Sequence, residues 1–169
     1  MNFLTEAIGK LSETPMRADE LVRGLTEEQL SWKPAPGIFS LRENVLHLCD
    51  IDVEGYSRRI PLVLDQETPA LPDVDGGKLA RERNYNAQPI EPALARLRLA
   101  RAASVARLKQ CSVQDLERKA EMQGVGVITL QHLLELWVEH DTGHIRDMVE
   151  VRKAIEKGSE PLFEQHQVA

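Results

Sequence analysis

Residues 129–157, TLQHLLELWVEHDTGHIRDMVEVRKAIEK, decide how this chain is read. The stretch has no proline and one glycine, and Leu133, Trp137, Met148 and Val151 recur along one helical stripe. Two positions on that stripe, where a core helix would put leucine or isoleucine, hold His140 and His144. Four residues apart, they lie about 40° from each other around the axis, so both imidazoles leave one face a turn apart. Such a pair can hold one metal ion from a single helix. A lone buried histidine more often finds a hydrogen bond than a metal. Two on one apolar seam are harder to satisfy that way, because each brings a donor and an acceptor into it.

Working outward, the same periodicity predicts three more long helices. Residues 2–23 form the first, with Phe3, Leu4, Ile8, Leu11, Leu21 and Val22 as its apolar face; Pro15 should kink it or mark the start of a shorter helix. Thr26 and Gln29 stand at capping-box spacing around a short turn, and Trp32 to Gly37 reads as loop. Ser40 and Glu43 form a second capping box and open a helix that carries Leu41, Val45, Leu48, Ile51 and Tyr56 to about Leu64, with Pro61 bending or ending it. His47 lies on its seam.

Residues 65–88 read as a long loop that covers a site or belongs to an interface, with a short helix over 78–86. The third long helix opens near Pro89 or Pro92, with Ile90, Leu94, Leu97, Val105 and Leu108 on its stripe. Residues 112–126 connect to the last helix, which Thr129 caps and Gly158 to Pro161 stop; residues 124–127 are flexible or extended. Four long amphipathic helices and no convincing strand give an all-α, up-down four-helix bundle with a long loop between helices two and three. It occupies residues 1–160 as a single domain, with a mobile tail over 161–169.

Composition narrows the function. Apolar residues make up 42% and charged residues 28%, a globular balance, and aromatics only 4%, as an aliphatic helical core requires. A net charge of −6 with no basic block argues against nucleic acid, and the arginines over 96–107 read as a solvated helix face. There is no signal-peptide pattern and no window long enough for a membrane span. Cys49 and Cys111 have no metal or redox spacing, so a cytoplasmic protein with reduced thiols is expected, and Cys49 is read as packing.

A bundle builds cofactor sites in its core from side chains on facing helices. His47 on helix two, with His140 and His144 on helix four, would supply three neutral nitrogen ligands and leave the remaining positions to water. A closed structural zinc site has four protein ligands, whereas three plus water is the arrangement that does chemistry. No pair of Glu-x-x-His motifs is present, so the di-iron bundle does not fit.

The order Leu25-Thr26-Glu27-Glu28-Gln29-Leu30, then Gly37 through Ser40, Glu43 and His47, then Thr129 into His140-Asp141-x-x-His144, resembles the DinB-like superfamily of bacterial four-helix-bundle proteins, also called YfiT-like metalloenzymes. The resemblance spans roughly residues 4–155. It implies that the metal histidines are His47, His140 and His144, that the ion is divalent (zinc, nickel or iron), and that the chain pairs into a homodimer. Characterised members include thiol-dependent transferases using mycothiol, bacillithiol or glutathione, and a maleylpyruvate isomerase. The chain departs from many relatives at Phe39, where they have tryptophan, and at Arg146-Asp147, where they run on with glutamine.

Under this reading the ion lowers the pKa of a water or a low-molecular-weight thiol, which attacks a small electrophilic substrate. Glu43, Asp50 and Asp141 are candidate carboxylate acceptors for the second nitrogens of the histidines. Against that, Glu43 reads first as a helix cap, and Asp50 and Asp141 read first as solvated helix charges. His132 is about 80° off the direction of His140 and reads as exposed or capping; His166 lies in the tail. The alternative, from a different class, is a dimeric helical binding or stress-response protein whose metal is structural or absent.

Overall fold

Side-chain caps set where the helices begin. In the computed structural model, which describes residues 2–158, the Asn2 side chain accepts from the Thr5 amide at 2.9 Å and starts α1 (Phe3–Val22). This helix runs through Pro15 rather than starting at it. Proline has no N–H, so the carbonyl of Leu11, one turn earlier, lacks its usual helical donor. Both expected capping boxes form: Thr26 with Gln29 opens α2 (Glu27–Ser31), and Ser40 with Glu43 opens α3 (Leu41–Asp50). The second rod then continues through a π-helical turn (Ile51–Tyr56) into α4 (Ser57–Asp65), with Pro61 inside it.

The connection over 66–89 holds α5 (Gly76–Glu82), capped by Asp75, and a 3₁₀ turn (Tyr85–Ala87). The third rod is α6 (Ile90–Leu108). Its arginines are not all on a solvated face, as the sequence suggests: Arg101 is 2% exposed. After a 3₁₀ turn over Val113–Glu117, the chain forms a hairpin of β1 (Lys119–Met122) and β2 (Gly126–Thr129), pairing Ala120 with Ile128. The absence of strands expected from the sequence is thereby corrected. Gly124 and Gly126 take positive φ at the turn, and only Ala120 and Ile128 are buried, so the apolar alternation is too brief to register. Thr129 then caps α7 (Leu130–Lys157), which Gly158 ends in the left-handed conformation. The expected tail over 161–169 lies outside the described residues.

Four rods make the bundle: α1, the α3–π–α4 helix, α6 and α7. α1 packs chiefly on α7 and α6, and α3 on α6 and α7, so α1 stands diagonally across from α3, and α6 from α7. The connections over 23–40 and 109–129 therefore cross between diagonal partners, and the second contains the hairpin. Two apolar clusters fill the interior. One gathers Leu41, Val45, Leu97, Ile145, Met148 and Val151; the other Leu11, Ile60, Leu108, Leu133 and Trp137. Along α7, His140, Asp141 and His144 fall between these clusters, in a polar layer with His47. No helix among the described residues is long and apolar enough to cross a membrane.

Candidate metal centre

The capping box at Ser40 fixes the start and rotation of α3, and two turns later His47 points into the interface with α7, 6% exposed. The uninterrupted helix over 130–157 brings His140 and His144 to meet it. One ring nitrogen from each of the three lies within 4.8 Å of the others. Ring centroids are separated by 5.2 Å (His47 to His140), 4.4 Å (His47 to His144) and 4.6 Å (His140 to His144). The Nε2 atoms of His47 and His140 approach to 3.1 Å.

The outer nitrogens explain how the rings are turned. His144 Nδ1 lies 2.8 Å from Oδ1 of Asn44, whose amide is itself fixed by donation to the Ser40 carbonyl at 2.9 Å. His140 Nδ1 faces Oδ1 of Asp141 at 3.4 Å, and the other carboxylate oxygen pairs with Arg101 Nη1 at 2.7 Å. With Nδ1 of both rings turned to an acceptor, their Nε2 lone pairs are left for the interior. Burial, with the nearby His140 adding to it, pushes His47 down to about 3 and His144 down to about 2. Both are neutral at neutral pH, the state a ligand must have. Burial alone would raise Asp141, but the contacts with His140 and Arg101 outweigh it and hold the carboxyl below its usual range.

Three imidazole nitrogens this close fit one divalent cation: two ring nitrogens at hydrogen-bond separation need a proton or a cation between them. The wall is aromatic and close-fitting. Phe39 packs against His47 (5.4 Å between centroids) and stacks on His144 (6.3 Å), while Tyr56 lies 6.4 Å from His140. From the long connection, Gly76 lies over His47; a Cβ there would sit 2.4 Å from the ring's Cε1. The expected covering role of the 65–88 segment thus has a physical form at this residue.

The candidate carboxylates divide. Asp141 touches a histidine and is buried, so it is no solvated helix charge. Glu43 is occupied by the helix cap and Lys33. Asp50 accepts from the Tyr85 hydroxyl and Arg83 Nη1, both at 2.6 Å, and Glu54 also binds Arg83, so these two hold the 76–89 connection and make no contact with the histidines. The expected supporting role of Asp50 and Glu43 is corrected accordingly. His132 is exposed, and His166 lies outside the described residues. Cys49 is buried, with its thiol pushed up to about 11 by burial.

Three residues of the site were not read from the sequence. Asn44 could have been noticed, being a polar residue one turn before His47 on the buried side of a capped helix. Arg101 sits on the apolar stripe between Leu97 and Val105, which was equally visible. Gly76 had no signal.

Comparison with known proteins identifies the family. The family model for the DinB superfamily matches residues 10–148. A relative from Oceanobacillus iheyensis, provisionally designated a metal-dependent hydrolase, is 24% identical over 151 residues, covering 89% of this chain and 87% of its own. YfiT from Bacillus subtilis, with the same provisional designation, is 27% identical over 144 residues, covering 85% of this chain and 80% of its own. The solved structure of YfiT, described as a probable metal-dependent hydrolase with an unusual four-helix bundle topology, superposes with a TM-score of 0.82 at 25% identity, over 92% of this chain and 88% of that one. This chain is a member of the DinB superfamily.

Proposed function

We propose that this protein is a metal-dependent enzyme acting on a small electrophilic molecule, with His47, His140 and His144 holding one zinc, nickel or iron ion. The observation that carries it is the convergence of one ring nitrogen from each histidine within 4.8 Å of the others, with the Nδ1 faces of His140 and His144 turned to Asp141 and Asn44. An ion there would act as a Lewis acid and lower the pKa of a water or thiol. The protein's own part is to keep His47 and His144 neutral, orient His140 and His144 from behind, and enclose the centre with Phe39, Tyr56 and Gly76. Attack by water is hydrolysis, the activity for which the relatives are named, and is the first reading.

A low-molecular-weight thiol is the second. Among the described residues, the carboxylates argued above are all engaged away from the inner nitrogens, leaving no evident general base for water. A thiol, far more acidic than water, needs less help to ionise. Elemental analysis of protein purified without a histidine tag should find about one ion per chain, and none in H144A. The loaded protein is then offered ester and amide substrates, and separately low-molecular-weight thiols with an electrophile such as a chlorinated arene. Hydrolysis without thiol consumption supports the first reading, and thiol-dependent product the second. A metal-free wild type would return the chain to a non-catalytic binding role.

A further inference from the structure

Arg101 is a fully buried cation that the proposed chemistry does not use directly. All four rods of the bundle converge on it. From α6 its Nε donates to Asp52 Oδ2 on the π-helical turn at 2.9 Å, and its Nη1 pairs with Asp141 Oδ2 on α7 at 2.7 Å. The same Nη1 donates to the Leu11 carbonyl on α1 at 2.5 Å. That is the carbonyl which Pro15 deprives of its helical donor, so the proline creates the acceptor that the guanidinium takes. The guanidinium also lies over the Trp137 ring, 4.7 Å from its centroid.

Stability alone is a poor reason for this cluster. Replacing a buried ion pair or triad with well-packed apolar side chains is often neutral or stabilising. What the cluster does is immobilise one carboxylate. Asp141 turns one oxygen to His140 Nδ1, and the other lies 2.7 Å from Arg101 Nη1 as an ion pair without hydrogen-bond alignment, with Thr14 a further partner of the carboxylate; the arginine's charge holds the carboxylate where one oxygen faces the ring. At 3.4 Å the contact with His140 is too long to hold it there by itself.

We infer that Arg101 is a positioning residue for the metal centre, clamping Asp141 and through it the orientation and tautomer of His140. This rests on the assignment of His140 as a ligand above. Asp52 anchors the far edge of the guanidinium. A planar fork suits the task because it spans two carboxylates and a carbonyl at once, which a lysine ammonium cannot do in the same geometry.

The test is a cobalt(II) titration, followed by the visible spectrum, of wild type, R101K, D141N and R101K/D141N, with circular dichroism as the check on folding. R101K keeps the buried cation and loses the fork. We expect D141N and R101K each to weaken cobalt binding by about tenfold or more, within the range for residues that support a metal-bound histidine, and to shift the cobalt bands. The double variant should bind no more weakly than D141N alone, because Arg101 acts only through Asp141. R101K within twofold of wild type with an unchanged spectrum, or a double variant whose loss is the product of the two single losses, overturns the inference. Should R101K fail to fold, D52N, which leaves every histidine contact in place and frees the anchored edge of the guanidinium, is judged by the same criteria. A wild type that binds no cobalt sinks the metal assignment itself, an outcome distinct from failure of the clamp.

Discussion

Replacing Gly76 with alanine places a methyl carbon 2.4 Å from Cε1 of His47, 3.0 Å from its Nδ1 and 3.0 Å from Cδ1 of Ile51. Contacts that close are not tolerated, so either the start of α5 lifts or the His47 ring turns away from its partners. Overpacking of this kind costs about 1–3 kcal/mol. Gly76 is the first residue of α5 and its φ is not positive, so alanine recovers roughly 0.5–1 kcal/mol of backbone entropy. The balance is a loss of up to about 2.5 kcal/mol, or up to roughly 10 °C in Tm for a chain of this size. Gly77 is the internal control, since its added Cβ meets only Arg81 and Asp75 atoms at 3.5 Å, ordinary contact distance. Thermal unfolding followed by circular dichroism should show G76A falling and G77A unchanged or higher. Cobalt titration should show G76A alone losing affinity, by about tenfold if the ring turns. If the two variants match in both measurements, the seating of the connection on His47 is wrong.

Three further outcomes are expected. Metal-free protein should lose stability in acid: His47 and His144, held neutral down to about 3 and about 2, contribute stability at neutral pH that disappears as pH falls below about 6.5. The slope is roughly 1.4 kcal/mol per pH unit for each ring. Asp52, pushed up to about 6 by burial, works in the opposite direction between about 4 and 6, but one carboxyl does not offset two imidazoles. A urea midpoint that does not fall between pH 7 and about pH 5 would contradict this. Asn44→Ala removes the acceptor behind His144 Nδ1 and should weaken metal binding by about 10–100-fold while the capping box keeps α3 in place; unchanged affinity would show that Asn44 does not support the ring. Finally, Cys49 should resist iodoacetamide near neutral pH, because burial both shields its thiol and raises it to about 11, and C49S/C111S should keep any thiol-dependent turnover. Loss of turnover in that variant would place the reactive sulfur on the protein rather than on the substrate.

The bundle was legible because its signals are local. Both capping boxes, the cap at Thr129 and the stripes of the long helices depend on residues within a few positions of one another, and they appear where the sequence puts them. The three histidines were legible for the same reason, each breaking an apolar stripe. What failed depends on long-range pairing or on departures from α-helical geometry. Asp50 was read as a candidate acceptor for a histidine, and nothing local in the sequence reveals that Tyr85 and Arg83 will claim the carboxylate. Arg101 was assigned to a solvated face by its company of other arginines, although its own position lies on the buried stripe; its partners are 40 residues or more away, on three other rods. The hairpin escaped because each strand buries a single side chain.

The π-helical turn at Ile51–Tyr56 has a consequence for how variation in this rod should be read. A π turn is equivalent to one residue inserted into an α-helix, so the segments on either side of it are out of phase. Before the turn His47 faces the histidines of α7, and within it Asp52 and Tyr56 face Arg101 and Trp137. Removing one residue between them would swing the later side chains by about 100° and part Asp52 from Arg101 while leaving His47 where it is. The two halves are separately adjustable, and a single-residue deletion here is a sharper way to uncouple them than any point substitution.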